Sequence, residues 1–162
     1  MKQKIWFFDL EETIITDFRC PTIINLEVVK NFLEFNNIKE VGIFSAAIWT
    51  EREKKIFNQP NFKDWLESVF GFKIVLAPSM QDVMDEILWK TGTLWDLSEF
   101  IAVWGKARAF QDYCRLVHPN KNSFLIDDVV PNEVILNRDF RTTIELINID
   151  VLEKWKLFEF FS

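Results

Sequence analysis

A chain of 162 residues with 49% hydrophobic side chains is long enough for one ordinary core and too apolar to be disordered. With 17 Phe and 7 Trp against 4 Gly that core must be aromatic, and 19 basic against 25 acidic residues, net −6, exclude strong non-specific attraction to nucleic acid or an anionic membrane. Two cysteines, Cys20 and Cys114, are too few for a disulfide framework or a Cys-based zinc site and read as buried structural thiols, while the lone His118 reads as a surface cap at a helix end.

The basic start of the chain is followed by only four apolar residues before Asp9, so no export signal or membrane span is expected, and a cytoplasmic location is. Ile5–Phe8 has the continuous apolar character of a central parallel strand covered on both faces. Asn25–Phe35 carries Leu26, Val29 and Leu33 on one helical stripe and stops at Asn36 and Asn37. Val41–Phe44 is a second buried strand. Thr50 caps a charged helix over 51–57, Pro60 ends it, and a further helical piece lies around Trp65–Val69.

Lys73–Leu76, set between Gly71 and Pro78, predicts a third strand, and Ser79 caps a helix around Val83–Trp89. From Lys90 to Trp104 no period is legible. Lys106–Leu116 predicts a helix, Ser123–Ile126 a fourth strand, and Pro131 the start of a helix near Asn132–Leu136. Thr142–Ile147 is a fifth strand and Val151–Phe160 a closing helix with Leu152, Trp155 and Phe158 facing inward. Short apolar strands alternating with helices predict an α/β three-layer sandwich. Its mainly parallel, Rossmann-like sheet has about five strands with helices on both faces, in one domain over 1–162 with a small insertion around 79–104.

In an open parallel sheet, ligands gather outside the carboxyl ends of the strands, near the point where strand order reverses. Asp9, Ser45 and Asp127 each lie at or just past the end of a predicted strand, so one crevice would collect all three. A carboxylate can attack phosphorus to give an aspartyl-phosphate, splitting a hard hydrolysis into two displacements. Facing acidic groups repel unless a hard cation lies between them, and Mg²⁺ prefers such oxygen ligands. Alone, each element has a plainer reading: Asp9 and Ser45 as caps, Lys106 as a solvated helix end, Asp127 and Asp128 as a turn pair.

Taken in order, Asp9 after the first strand, Ser45 after the second, Lys106 opening a helix and the pair Asp127–Asp128 closing the fourth strand resemble the haloacid dehalogenase (HAD) superfamily of phosphotransferases. The resemblance runs from Ile5 to Asp128. It implies that Asp9 is nucleophile and Mg²⁺ ligand, that the backbone carbonyl of Glu11 is a second ligand, and that Asp127 and Asp128 support the metal. It further implies that Ser45, with the adjoining Ala46, and Lys106 hold the phosphate.

One position departs from the family pattern. Its phosphatases place a second Asp two residues after the nucleophile to protonate the leaving oxygen and then activate water; here that residue is Glu11, and the glycine that usually follows is Glu12. The extra methylene displaces the carboxyl by about a bond length, and a misplacement of roughly 1 Å can cost on the order of 10²-fold in rate. Three readings stay open: Glu11 as a differently placed acid/base, a site that stops at phosphoryl transfer or phosphate binding, or a non-catalytic fold that binds a partner.

The segment 14–40 leaves no room for a large cap, and the insertion at 79–104 is small for one. By family analogy an open site goes with a bulky phosphorylated substrate, a nucleotide or a nucleic-acid end, although small phosphomonoesters also occur. Trp89, Trp95, Phe100 and Trp104 either stack a base at the crevice or pack the insertion onto the sheet. A flavodoxin-like or receiver-like domain, in which an acidic cluster accepts phosphate as a switch, is the alternative outside the family, but there the lysine follows the last buried strands.

Overall fold

The computed structural model describes residues 2–89 and 95–152. Its strands are β1 (Lys4–Phe8), β2 (Glu40–Ile43), β3 (Lys73–Leu76), β4 (Asn122–Asp127), β5 (Glu133–Asn137) and β6 (Thr142–Asn148). They form one sheet in the order β3-β2-β1-β4-β6-β5, parallel except for the antiparallel pair β5–β6. The helices are α1 (Leu26–Phe35), α2 (Glu51–Phe57), α3 (Pro60–Phe70), α4 (Met80–Leu88), α5 (Leu97–Trp104) and α6 (Lys106–Val117).

Alternation along β1 explains how so aromatic a chain finds one arrangement, since successive side chains leave a strand on opposite faces. Trp6 and Phe8 join a buried cluster with Val29, Phe32 and Leu33 of α1 and Phe57, Leu66 and Phe70 from α2 and α3. Phe7 joins a separate cluster with Met80, Val83 and Met84 of α4, Phe100 of α5 and Phe110 and Tyr113 of α6. The rings meet in specific pairs: Trp6 stacks on Phe124 of β4 with centroids 4.0 Å apart, and Phe7 meets Phe110 edge-on at 5.3 Å.

Gly42 of β2 makes room for Phe7. A Cβ built there would lie 2.5 Å from two atoms of the Phe7 ring, so the ring crosses the backbone of its neighbour at a distance that glycine alone permits.

The expected caps form. Thr50 and Glu53 make a reciprocal capping box at the start of α2, Ser79 and Asp82 make another on α4, and Pro60 takes the first turn of α3. The segment expected as a helix near Asn132–Leu136 is instead β5, giving six strands in place of about five. Its adjacent β-branched Val134 and Ile135 suit a strand, and the short connection 138–141 returns the chain to β6 as a hairpin, pairing Val134 with Glu145 and Ile135 with Ile144.

Two smaller expectations are corrected. Leu26 lies exposed at the start of α1, and Phe32 takes its place beside Val29 and Leu33 because the buried stripe begins one turn later. Cys20 is exposed, in a turn where Asp17 Oδ1 accepts its N–H, whereas Cys114 is buried. His118 ends α6 half-buried beside Phe7 and Tyr113. Leu152 is buried as expected, while Trp155, Phe158 and the rest of the closing helix expected after it lie outside the described residues. Among the described residues no helix is long and apolar enough to cross a membrane.

Candidate active site

The strand order reverses between β1 and β4. From β1 the chain steps outward to β2 and β3, then crosses back to β4 on the other side, leaving a crevice beyond the carboxyl ends of these two strands. Register brings the acidic residues together there. Phe8 pairs with Ile126, and the Asp9 N–H donates to the Ile126 carbonyl at 2.9 Å, so Asp9 and Asp127 leave adjacent strands side by side. On the other flank the Phe44 N–H donates to the Phe8 carbonyl at 3.0 Å, which carries Ser45 to the same crevice.

Asp9, Ser45 and Asp127 are all buried. Carboxylate oxygens of Asp9, Asp127 and Asp128 lie within 4.8 Å of one another. Lys106 spans two of them, with Nζ 2.8 Å from Asp9 Oδ1 and paired with Asp127 Oδ2 as well. Asp127 Oδ1 accepts the Val129 N–H at 2.9 Å, which fixes the orientation of its carboxylate.

Lys106 reaches this point because of the residue before it. Gly105 alone separates α5 from α6, and its backbone at φ 81°, ψ 151° belongs to a region essentially reserved for glycine. The hinge is held by aromatics: Trp104 stacks on Phe100, meets Trp95 edge-on, donates its Nε1–H to Asp112 of α6 at 2.9 Å, and lies 3.8 Å under the Arg108 guanidinium. Phe100 is fully buried. Of the two roles open to these aromatics, Trp95, Phe100 and Trp104 take the packing role, whereas Trp89, just before the undescribed residues 90–94, is exposed.

Thr13, which sequence reasoning passed over, belongs to the site. The Leu10 carbonyl accepts the N–H groups of Thr13, Ile14 and Ile15, so the chain makes a tight turn immediately after β1. That turn brings the buried Thr13 hydroxyl back under the strand end, 3.3 Å from Asp9 Oδ2 and 3.5 Å from Asp128 Oδ1. One hydroxyl proton serves one of the two carboxylates at a time. The signal in the sequence is a spacing of four from Asp9, meaningful only once the turn is known.

Glu11 is placed otherwise. Its Oε2 accepts the main-chain N–H of Phe18 at 2.8 Å, and its carboxylate is not part of the Asp9, Asp127 and Asp128 cluster. Glu12 has φ 61°, a left-handed backbone where the corresponding glycine of the family pattern would be unstrained. Ala46 is exposed beside Ser45, whose Oγ accepts the Ala47 N–H at 3.2 Å and whose hydroxyl modestly favours the ionised form of Asp9.

With all three carboxylates ionised the cluster holds three negative charges against one ammonium, 1 − 3 = −2, the complement of one divalent cation. The strain is visible in the proton affinities. Burial raises Asp9 above the usual carboxylate range against the pull of Lys106, with the charge of Asp127 adding to the rise. Asp128 is pushed up to about 6 by burial, by its hydrogen bond with Asp127 and by the charges of Asp127 and Asp9. An all-oxygen set of this kind suits Mg²⁺, which takes one or two carboxylates and keeps several waters.

No protein-family model, curated protein or solved structure matches this chain.

Proposed function

We propose that the protein is a Mg²⁺-dependent phosphomonoester hydrolase of the HAD type, working through an aspartyl-phosphate on Asp9. The observation that carries this reading is the cluster itself: Asp9, Asp127 and Asp128 within 4.8 Å at the switch point of the sheet, with Lys106 across Asp9 and Asp127. The two buried clusters, one with α1–α3 and one with α4–α6, support the three-layer arrangement in which such a site lies.

Asp9, Asp127 and Asp128 would hold the Mg²⁺, which when bound supplies positive charge for the phosphoryl oxygens and offsets repulsion between the carboxylates. In the first displacement an Asp9 oxygen attacks phosphorus, and the electron pair of the broken P–O bond leaves with the substrate oxygen, which gains a proton. In the second, water attacks phosphorus, gives up a proton, and the P–O bond to Asp9 breaks, restoring the carboxylate and releasing phosphate. Lys106, next to Asp9, opposes the burial that favours its protonated form and offers its ammonium to the incoming phosphoryl oxygens. Ser45, buried on the other flank of β1, favours the ionised form of Asp9.

A second reading, a non-catalytic phosphate- or partner-binding protein on the same fold, is favoured by one observation: Glu11 spends its carboxylate on the Phe18 N–H. One assay separates the two. Purified protein is incubated with p-nitrophenyl phosphate, nucleotides and a 3′-phosphorylated oligonucleotide, with Mg²⁺ or with EDTA, beside Asp9→Asn. The expected result is Mg²⁺-dependent phosphate release that falls by a factor of at least about 10³ in the variant. Absence of release from every substrate, with Mg²⁺ binding demonstrated by calorimetry, establishes the second reading.

A further inference from the structure

The two edges of the sheet are finished differently. β3 carries devices that keep an edge from pairing: it is four residues long, it opens on the exposed Lys73, and the Ile74 N–H is taken by Glu67 Oε2 of α3 at 2.7 Å. β5 carries none of them. Glu133–Asn137 has one charged residue, at its start, and among the described residues no group outside β6 is hydrogen-bonded to its backbone. An open edge of this kind is a template for another strand.

The exposed side chains of this edge are apolar. Ile135 packs against the cluster on the α4–α6 side, so Val134 and Leu136 leave on the opposite face, where they are 59% and 62% exposed. Residue types run alike in both directions from Ile135: Val134 and Leu136 flank it, then Glu133 and Asn137, then Asn132 and Arg138. Paired residues of antiparallel strands share a face, so a second copy of this strand, centred on Ile135, sets Val134 against the partner's Leu136 and Glu133 against the partner's Asn137. Moving the centre to Leu136 would set Val134 against Arg138 and Glu133 against Asp139, and moving it to Val134 would set Glu133 against Ile135.

Charge favours the same pairing. Glu133 gives the start of the strand one negative charge, whereas Arg138, Asp139 and Arg141 beyond its end leave one positive charge, and antiparallel strands bring unlike ends together. The exposed Phe140 in the hairpin turn and the exposed Val129 ahead of β5 also lie at opposite ends, so the same axis turns Phe140 of one copy toward the partner's Val129.

We propose that β5 is a dimerisation edge, at which two copies of this chain pair β5 with β5 antiparallel about Ile135 and join their six-stranded sheets into one. The guarded β3 edges end the assembly, which closes at two copies. A five-residue strand pair is a small interface, so a dissociation constant of about 1–100 μM is expected. The dimer requires nothing of the acidic cluster, and its test reads mass alone.

The test is sedimentation equilibrium of the full 162-residue chain across that concentration range, in which the mass is expected to rise from 19.3 kDa to twice that value. Leu136→Lys, at a position the fold leaves exposed, enters a two-fold interface twice and is expected to raise the dissociation constant on the order of 10²-fold. Val75→Lys, at an exposed position of β3, leaves it unchanged. Glu133→Lys weakens the dimer roughly threefold to tenfold by setting like charges together, and adding Arg138→Glu restores it. Each variant is first shown to keep the wild-type unfolding midpoint. A monomer at every concentration would leave the edge to an extended strand of a different protein and overturns the proposal. A dimer that survives Leu136→Lys, assembly beyond two copies, or a loss in Glu133→Lys that Arg138→Glu does not repair overturns it as well.

Discussion

Glu12 and Asp128 hold the two least comfortable positions described at the site. Glu12 adopts a left-handed backbone that costs an ordinary L residue about 1–2 kcal/mol, and glycine there gives back part of the gain through its freer unfolded chain. Glu12→Gly is therefore expected to stabilise the protein by about 0.5–1 kcal/mol, seen as a rise in melting temperature of roughly 1–4 °C. A fall would show that Glu12 makes a compensating interaction. Asp128 holds its proton more tightly folded than unfolded, since burial and its acidic neighbours push its pKa up to about 6. Its contribution to stability is thus complete below the unfolded value and lost as pH rises through about 6. On the proposed reading Mg²⁺ would take the place of that proton, so the melting-temperature increase on adding Mg²⁺ is expected to be larger at about pH 7.5 than at about pH 5, and Asp128→Asn should narrow the difference. Equal increases at the two pH values would detach the metal from this carboxylate.

At the scale of elements, the site depends on how strand ends and helix starts are aligned. The β1–β4 register puts Asp9 beside Asp127, the turn after Leu10 returns Thr13, and the Gly105 hinge starts α6 where Lys106 reaches both carboxylates. The alignment of β2 with β1 rests on Gly42, whose missing Cβ admits the buried Phe7 ring. Gly42→Ala puts a methyl 2.5 Å from that ring, and overpacking of this kind costs about 1–3 kcal/mol. A lowered denaturant midpoint with unchanged slope is the expected outcome. A midpoint equal to wild type would mean that β2 shifts freely, and Ser45 with it.

For the molecule as a whole, the two cysteines report on opening. Cys114 is buried in α6 with its thiol pushed up to about 12 by burial, whereas Cys20 is exposed on the Thr16–Thr22 loop. A thiol reagent such as DTNB is expected to modify one cysteine rapidly in the native protein and the second at the rate of unfolding. Two fast thiols would show that α6, and with it the Lys106 anchor, opens under native conditions.

What the sequence determined by itself is local: five of the six strands, the helix caps Thr50 and Ser79, and the order in which Asp9, Ser45, Lys106 and Asp127–Asp128 meet the ends of regular elements. Short-range pattern suffices for these because a buried strand must be apolar and a helix start must satisfy its free N–H groups wherever the chain later goes. The tertiary structure alone decided the rest. β5 is a strand because β6 folds back beside it as a hairpin partner, a pairing that the Pro131 start signal does not contain. Thr13 joins the cluster because the chain turns after Leu10. Glu11, which the motif assigns to the chemistry, turns instead to the Phe18 N–H, because a carboxylate follows the nearest well-directed donor and the fold supplies one.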